Sequence, residues 1–77
     1  MHFGTMQVAT LWRLTKAGVV CRGIVMEGVT GLRLVVVETD RIVCWEQFPL
    51  ARQLRARAVK IQRAMRRSGW LPVVRGL

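Results

Sequence analysis

Four β-type segments in the first 48 residues are joined by very short connections, and this spacing most constrains the fold. Each segment is rich in valine, isoleucine, leucine, threonine or tryptophan, which favour strands. The segments span residues 7–15, 19–26, 32–38 and 41–47. The connections between them have two to five residues, too few to cross over a sheet, so successive strands must pair antiparallel. The sequence predicts an antiparallel four-stranded β-meander over residues 7–48.

A helical pattern replaces the strand pattern at Pro49. Proline suits the first turn of a helix, because the N–H that it lacks would have no partner there. Apolar residues then recur every three or four positions, as on one face of a helix. They are Leu50, Leu54, Ala58, Ile61 and Met65. Gly69 suits the position just after a helix, so we predict a basic amphipathic helix over 49–68 and a C-terminal tail over 69–77.

The order of these elements predicts an α+β fold, ββββα, in a single domain over residues 1–77. The apolar stripe of the helix must cover one face of the sheet. Alternation assigns to that face Trp12, Leu14, Val19, Cys21, Val25, Leu32, Leu34, Val36, Ile42, Cys44 and Phe48. The opposite face would show Leu11, Arg13, Val20, Arg22, Ile24, Met26, Arg33, Val35, Val37, Arg41, Val43 and Trp45. Because this second face mixes arginines with aliphatic side chains, we expect a partner to cover it.

Positive charge is concentrated in the C-terminal part of the chain. The net charge is +9, and all four acidic residues lie before residue 47. Residues 47–77 therefore carry eight cations and no acid. Six of these cations fall opposite the apolar stripe of the helix: Arg52, Arg55, Lys60, Arg63, Arg66 and Arg67. A cationic helix face without counter-charges predicts electrostatic contacts with the phosphates of DNA or RNA. A genome rich in G and C would give the same excess of arginine without a function.

The second face of the sheet predicts an interface or a second binding surface. Its candidate residues are Arg13, Arg22, Arg33, Val35, Val37 and Trp45. Exposed apolar patches mark protein contacts more often than other sites, so a homodimer is the first interpretation. Stacking of unpaired bases on Trp45 is the second. Binding of the helix to an anionic membrane is disfavoured, because its apolar stripe is needed to cover the sheet.

Motifs for catalysis and metal binding are missing from the sequence. There is no Ser-His-Asp set, no phosphate-binding glycine motif and no CxxC pair, and His2 is the single histidine. We therefore predict a non-catalytic protein without metal or cofactor. Cys21 and Cys44 lie among strand valines and are interpreted as two buried thiols, with a disulfide between them as the alternative.

The predicted function is nucleic-acid binding with weak sequence specificity in a cytoplasmic bacterial or phage-encoded protein. The longest apolar runs fall far short of the roughly 20 residues of a membrane span. The N-terminus lacks the basic and apolar regions of a signal peptide. The alternative function is a protein-interaction module, a regulator or inhibitor that docks on an acidic protein.

Two sequence landmarks carry a resemblance. The run Leu11–Leu14 (LWRL) in the first strand and Ser68–Trp70 (SGW) at the helix end resemble small uncharacterised bacterial proteins in which a β-meander precedes a helix ending in Gly-Trp. That pattern covers about residues 11–71 and implies the fold without an activity. The ββββα topology is also similar to Whirly and single-stranded-DNA-binding coactivator folds, a likeness that carries the fold more safely than the function. This chain lacks the several exposed aromatic and lysine positions that those binders use.

Overall fold

The computed structural model describes residues 6–29 and 31–73 and confirms the α+β arrangement. The elements are β1 (Met6–Lys16), β2 (Val19–Gly28), β3 (Gly31–Glu38), β4 (Arg41–Phe48), α1 (Ala51–Arg67) and β5 (Leu71–Pro72). The strands form one antiparallel sheet in the order β4-β3-β2-β1-β5. The predicted meander is present, and the chain returns at its end to lie beside β1.

The tight turns of the meander depend on backbone conformations with positive φ. Ala17 and Gly18 have φ values of 51° and 81°, as the two central residues of a type I′ hairpin turn require. Thr39 has a φ of 54° in the β3–β4 turn, an unfavourable conformation for a β-branched residue. The β2–β3 connection is shorter than predicted, because Gly28 and Gly31 are paired strand residues.

The core lies between the sheet and α1, and most of its predicted members are confirmed. The cluster comprises Trp12, Leu14, Cys21, Val25, Leu34 and Val36 from the sheet with Leu54 and Ala58 from the helix. Leu32, Phe48, Ile61, Met65 and Trp70 pack against it and are partly buried. The helix stripe therefore covers the face that strand alternation assigns to it, except at the residues described next.

A bulge in β4 changes the predicted faces of that strand. Val36 pairs with Cys44 and Val37 pairs with Ile42, which leaves Val43 as an extra residue. A single extra residue reverses the alternation beyond it. The assignment of Ile42 to the helix-covered face is therefore wrong: it lies on the opposite face beside Val37 and is 59% exposed. The assignment of Arg41 to the opposite face is wrong for the same reason, since it pairs with Glu38 in the cross-strand row of Cys21 on the helix-covered face.

Trp12 packs against the backbone of the neighbouring strand. Its side chain is only 4% exposed, and its partner across the β1–β2 pair is Gly23. A Cβ atom built on Gly23 would lie 2.5 Å from three atoms of the indole ring. Glycine is therefore the residue that allows the indole to lie flat on β2.

The two ends of α1 are built differently. The N-cap residue Leu50 makes no side-chain capping hydrogen bond, and it is 45% exposed, so its prediction as part of the buried stripe is wrong. The predicted start at Pro49 is two residues early. At the other end the Trp70 N–H donates to Met65 O and the Gly69 N–H donates to Arg66 O, each at 3.1 Å. These two bonds, with Gly69 at a φ of 99°, form a Schellman motif.

The C-terminal segment adds a short edge strand that the sequence analysis leaves as a tail. Leu71 pairs with Thr15 and Pro72 pairs with Leu14. The Val73 N–H donates to Arg13 O at 3.1 Å. This segment covers part of the β1 edge, whereas β4 forms the opposite edge of the sheet. Within the described residues, no helix is long and apolar enough to cross a membrane.

Replacing Gly23 with alanine should destabilise the fold by about 1–3 kcal/mol, the cost of overpacking a well-packed site. The introduced methyl group would collide with the Trp12 ring. The free energy of unfolding, measured by urea titration, checks this expectation. In a Trp12→Phe background the same substitution should cost less, because the smaller ring leaves room. An equal cost in both backgrounds would contradict the stacking.

Replacing Leu50 with serine should stabilise the helix by about 1 kcal/mol, the usual gain from an N-cap hydroxyl. Leu50 already has the extended backbone of an N-cap residue, with φ −127° and ψ 140°. Thermal unfolding followed by circular dichroism measures the effect. Leu50→Ala is the matched control, since it removes the same side chain without supplying an acceptor. A serine variant no more stable than the alanine variant would refute the assignment.

Candidate nucleic-acid interface

The buried side of α1 determines which of its residues face outward. Leu54 and Ala58 are only 2% and 4% exposed, and they seat the helix on the sheet. The six predicted phosphate-binding residues are all exposed: Arg52, Arg55, Lys60, Arg63, Arg66 and Arg67. We call this set the cationic ridge. At about 1.5 Å of rise per residue it extends for about 22 Å along the helix.

The positive charge of the cationic ridge is not offset by carboxylates within the described parts of the chain. The ion pair found there joins Arg57 Nε to Glu46 Oε1 at 2.8 Å. Arg57 is the helix cation that the sequence analysis leaves out of the phosphate-binding set. Like charges on one helix face repel each other, so an unpaired row of this kind attracts counter-ions or an anionic ligand.

A shallow groove lies on the C-terminal half of the ridge. It has a volume of about 470 Å³ and is lined by Val59, Gln62, Arg63, Arg66 and Arg67. The first two of these residues are absent from the predicted set. Their positions could have been read from helical spacing, because residues three, four, seven and eight apart share one face. The groove brings three guanidinium groups around an exposed valine and an amide, which is a setting for a phosphate-bearing ligand.

Lys16 extends the positive region beyond the helix. Its Nζ donates to Ser68 O at 2.6 Å, and it thereby satisfies a carbonyl at the C-terminal end of α1, where a cation is favoured by the helix dipole. The residue lies in the β1–β2 hairpin, 52 positions away along the chain. No local pattern in the sequence could have placed it there, because the contact depends on where the helix ends.

The face of the sheet opposite α1 is the open face, and it holds the second predicted surface. Ile24, Val35 and Val37 are buried there to 5%, 6% and 8% exposure. These three residues are therefore buried without a partner, and the expectation that a partner covers the open face stays a prediction. Ile24, Val35 and Val37 form the floor of a trough on the open face. The side chains of Met26, Arg33, Ile42 and Trp45 also line this trough and cover the three aliphatic residues.

Arg33 and Trp45 form the most distinctive contact of the open face. The guanidinium carbon of Arg33 lies 4.6 Å from the centre of the Trp45 ring, a cation–π arrangement. Its Nε atom is buried without a hydrogen-bond acceptor in the described parts of the chain. Trp45 itself remains 54% exposed. The trough beside this pair has a volume of about 350 Å³, and its wall is mainly apolar.

Arg13 and Arg22, the remaining predicted residues of the second surface, are direct partners across the β1–β2 pair and are half-buried. They share the open face with Val37, the next residue in the same cross-strand row. The cationic ridge lies on the other side of the molecule, on the outward face of α1, which packs against the opposite face of the sheet. The structure thus places the two predicted sets on opposite sides of the molecule, and it does not bring them together into one site.

The two cysteines differ in environment. Cys21 is 1% exposed, as predicted, and burial raises the pKa of its thiol. Cys44 is exposed on the edge strand, so its prediction as a buried thiol is wrong. Both are free, which excludes the alternative of a disulfide in this structure. Among the described residues no group of three His, Cys, Asp or Glu side chains could hold a metal ion, and His2 lies outside those residues.

A thiol reagent at pH 8 should label one cysteine quickly. Cys44 is accessible, whereas Cys21 is both buried and kept protonated by its raised pKa, and the thiolate is the reactive form. Mass spectrometry of the folded protein should show a single adduct on Cys44, with Cys21 modified only after denaturation. The Cys44→Ser variant supplies the control. Rapid modification of that variant under native conditions would contradict the burial of Cys21.

Comparisons with protein-family models, with curated proteins and with solved structures found no match. The resemblances noted from the sequence therefore stay hypotheses.

Proposed function

We propose that this protein is a small, non-catalytic binding protein that holds DNA or RNA through phosphate contacts on the cationic ridge. The observation that carries the proposal is the row of six exposed cations without carboxylate partners in the described structure. The carboxylate of Glu46, which lies near the helix, forms its ion pair with Arg57, which is not a ridge residue. Binding to a polyanion releases its condensed counter-ions and lowers the repulsion within the row.

The dimensions of the ridge suit a nucleic-acid backbone. Its length of about 22 Å equals the rise of roughly six base pairs along the axis of a DNA duplex, at about 3.4 Å each. Arginine can contact each phosphate with two N–H donors. A convex helix surface of flexible side chains reads the backbone better than the bases, so weak sequence specificity is expected.

The homodimer, the cytoplasmic location and the bacterial or phage origin remain parts of this proposal. A dimer would present two cationic ridges to one polymer and so raise the overall affinity without any new contact within a chain. The resemblance to single-stranded-DNA-binding folds supports single strands as one candidate ligand, whereas the regular helix suits the grooves of a duplex as well.

A protein-interaction module is the second candidate, and the trough of the open face favours it. In this role the chain would be a regulator or inhibitor that docks on another protein. The apolar wall of the trough beside Arg33 could accept an apolar side chain of that protein, and the nearby Arg13 and Arg22 would favour a partner with an acidic surface. Such a partner would supply the acceptor that the Arg33 Nε atom lacks in the described structure.

Reversing two charges of the ridge should abolish most of the nucleic-acid affinity. In the Arg63→Glu/Arg66→Glu variant, groups that line the groove would repel phosphates. We expect at least a hundredfold loss in affinity for a labelled 20-nucleotide strand at about 0.1 M salt, measured by fluorescence anisotropy. In the unaltered protein, six phosphate contacts predict a slope near −4 to −5 for the logarithm of affinity against the logarithm of salt concentration.

The matched control is Arg13→Glu/Arg22→Glu, which changes the net charge equally on the open face. It should retain affinity within about tenfold, the range of a long-range charge effect alone. Equal losses in both variants would show that net charge, and not the ridge, governs binding. Retained nucleic-acid affinity in the ridge variant would overturn the proposal, and binding of acidic proteins lost only in the open-face variant would establish the second candidate.

A further inference from the structure

Exposed apolar side chains lie at both edges of the sheet. Val8 and Leu11 of β1 and Leu71 of β5 are 56%, 36% and 60% exposed. In β4, Ile42, Val43 and Trp45 are 59%, 39% and 54% exposed. Val35 and Val37 of the neighbouring strand are already buried within one chain, so they would add little area to an interface. A dimer that buries the exposed side chains of β4 would therefore use this edge of the sheet and not the centre of the open face.

Within the described residues, β4 has a neighbouring strand on one side only. It forms one margin of the sheet, whereas the opposite margin is partly covered by β5. Edge strands are commonly protected from further pairing by proline, by lysine, by a bulge or by a very short length. Of these features β4 has the bulge at Val43. The eight residues of β4 contain neither proline nor lysine. Its outward N–H and C=O groups form a template for another strand.

The bulge determines how a second copy can align. Two strands that pair antiparallel must match their faces, so residues placed opposite each other must lie on the same side of the sheet. Because of the extra Val43, Ile42 and Trp45 both lie on the open face beside Val37 and Val35. Arg41 and Glu46 both lie on the helix-covered face, opposite Glu38 and Leu34. A regular strand could not match both pairs in one symmetrical alignment.

Charge complementarity selects the same alignment. With Arg41 of one copy opposite Glu46 of the other, the two-fold axis passes between Val43 and Cys44, and two ion pairs form by symmetry. Ile42 then lies opposite Trp45, an aliphatic–aromatic pair of the kind that stabilises sheets. Glu46 contacts Arg57 through Oε1, which leaves its second carboxylate oxygen for the incoming guanidinium.

We propose that two copies of this chain pair antiparallel along β4, with Arg41 opposite Glu46 and Ile42 opposite Trp45. The result is one continuous sheet of ten strands, five from each copy. The two-fold axis is perpendicular to the sheet, so both helices lie on the same side. This inference rests on the homodimer of the proposed function and does not depend on nucleic-acid binding.

A charge-exchange pair of variants tests the alignment. Arg41→Glu alone and Glu46→Arg alone each place like charges opposite each other twice, which should raise the dimer dissociation constant about tenfold, since each cross-strand pair changes it a few fold. Mixed together, the two variants restore both attractive pairs. Sedimentation equilibrium at about 0.15 M salt should then show a heterodimer as stable as the unaltered dimer, and circular dichroism checks that each variant is folded.

The outcomes separate this interface from the dimer itself. An unaltered protein that stays monomeric up to about millimolar concentration, well above the range of specific interfaces, would overturn both. A dimer whose mass is unchanged in either single variant, with no preference for the heterodimer in the mixture, would overturn the β4 interface and leave the homodimer standing on another surface.

Cross-linking provides a second test that does not depend on charge. In the Val43→Cys variant, the introduced thiol would lie opposite Cys44 of the second copy. Oxidised glutathione should take up two electrons and two protons from each thiol pair and give a covalent dimer on a non-reducing gel. Val43→Cys/Cys44→Ser, and Val29→Cys at an 88% exposed loop position, are the controls. Cross-linking no greater in Val43→Cys than in these controls would overturn the proposal.

Discussion

The packing of Leu54 and Ala58 against the sheet is the interaction on which the rest of the structure depends. These two side chains are nearly fully buried and fix the rotation of the helix about its own axis. Since side chains on opposite faces of a helix are separated by the helix itself, this contact also directs the cationic ridge into solvent. The Schellman motif at Gly69 and the Lys16–Ser68 contact hold the far end of the helix in the same orientation. Hydrophobic burial on one side thus creates the electrostatic surface on the other.

Three irregular features of the sheet determine how its core packs and how its two edges differ. Because Gly23 has no side chain, the Trp12 ring can lie against the backbone of β2. This position allows a large side chain to fit between the sheet and the single helix. The bulge at Val43 moves Ile42 to the open face, where its side chain adds exposed hydrocarbon beside Trp45 at the β4 edge. The short strand β5 covers part of the other margin. The two edges are therefore unlike, since one is partly covered by the chain itself and the other is the edge proposed to pair with a second copy.

The sequence predicted the meander, the helix and the six outward cations because each depends on local periodicity and on short connections. The misassigned residues depend on non-local or irregular features. Ile42 and Arg41 were assigned to the wrong faces because a bulge has no signature in an alternating pattern. Cys44 lies on its predicted face but is exposed, because β4 is an edge strand. Leu50 was assigned to the apolar stripe by spacing, although the helix begins one residue later. The role of Lys16 and the pairing of Leu71 with Thr15 depend on where the helix ends in space. The burial of Val35 and Val37 without a partner depends on neighbouring side chains that alternation does not describe.

The most direct test of the central claim is NMR observation of the arginine side-chain Nε–Hε groups during titration with a short oligonucleotide. The account predicts that the resonances of Arg52, Arg55, Arg63, Arg66 and Arg67 shift together and saturate at the same ligand concentration. The signal of Arg57 should move less, because its Nε–H already donates to Glu46. Shifts confined to Arg13, Arg22 and Arg33, with the helix arginines unchanged, would contradict the account and move the binding surface to the other side of the sheet.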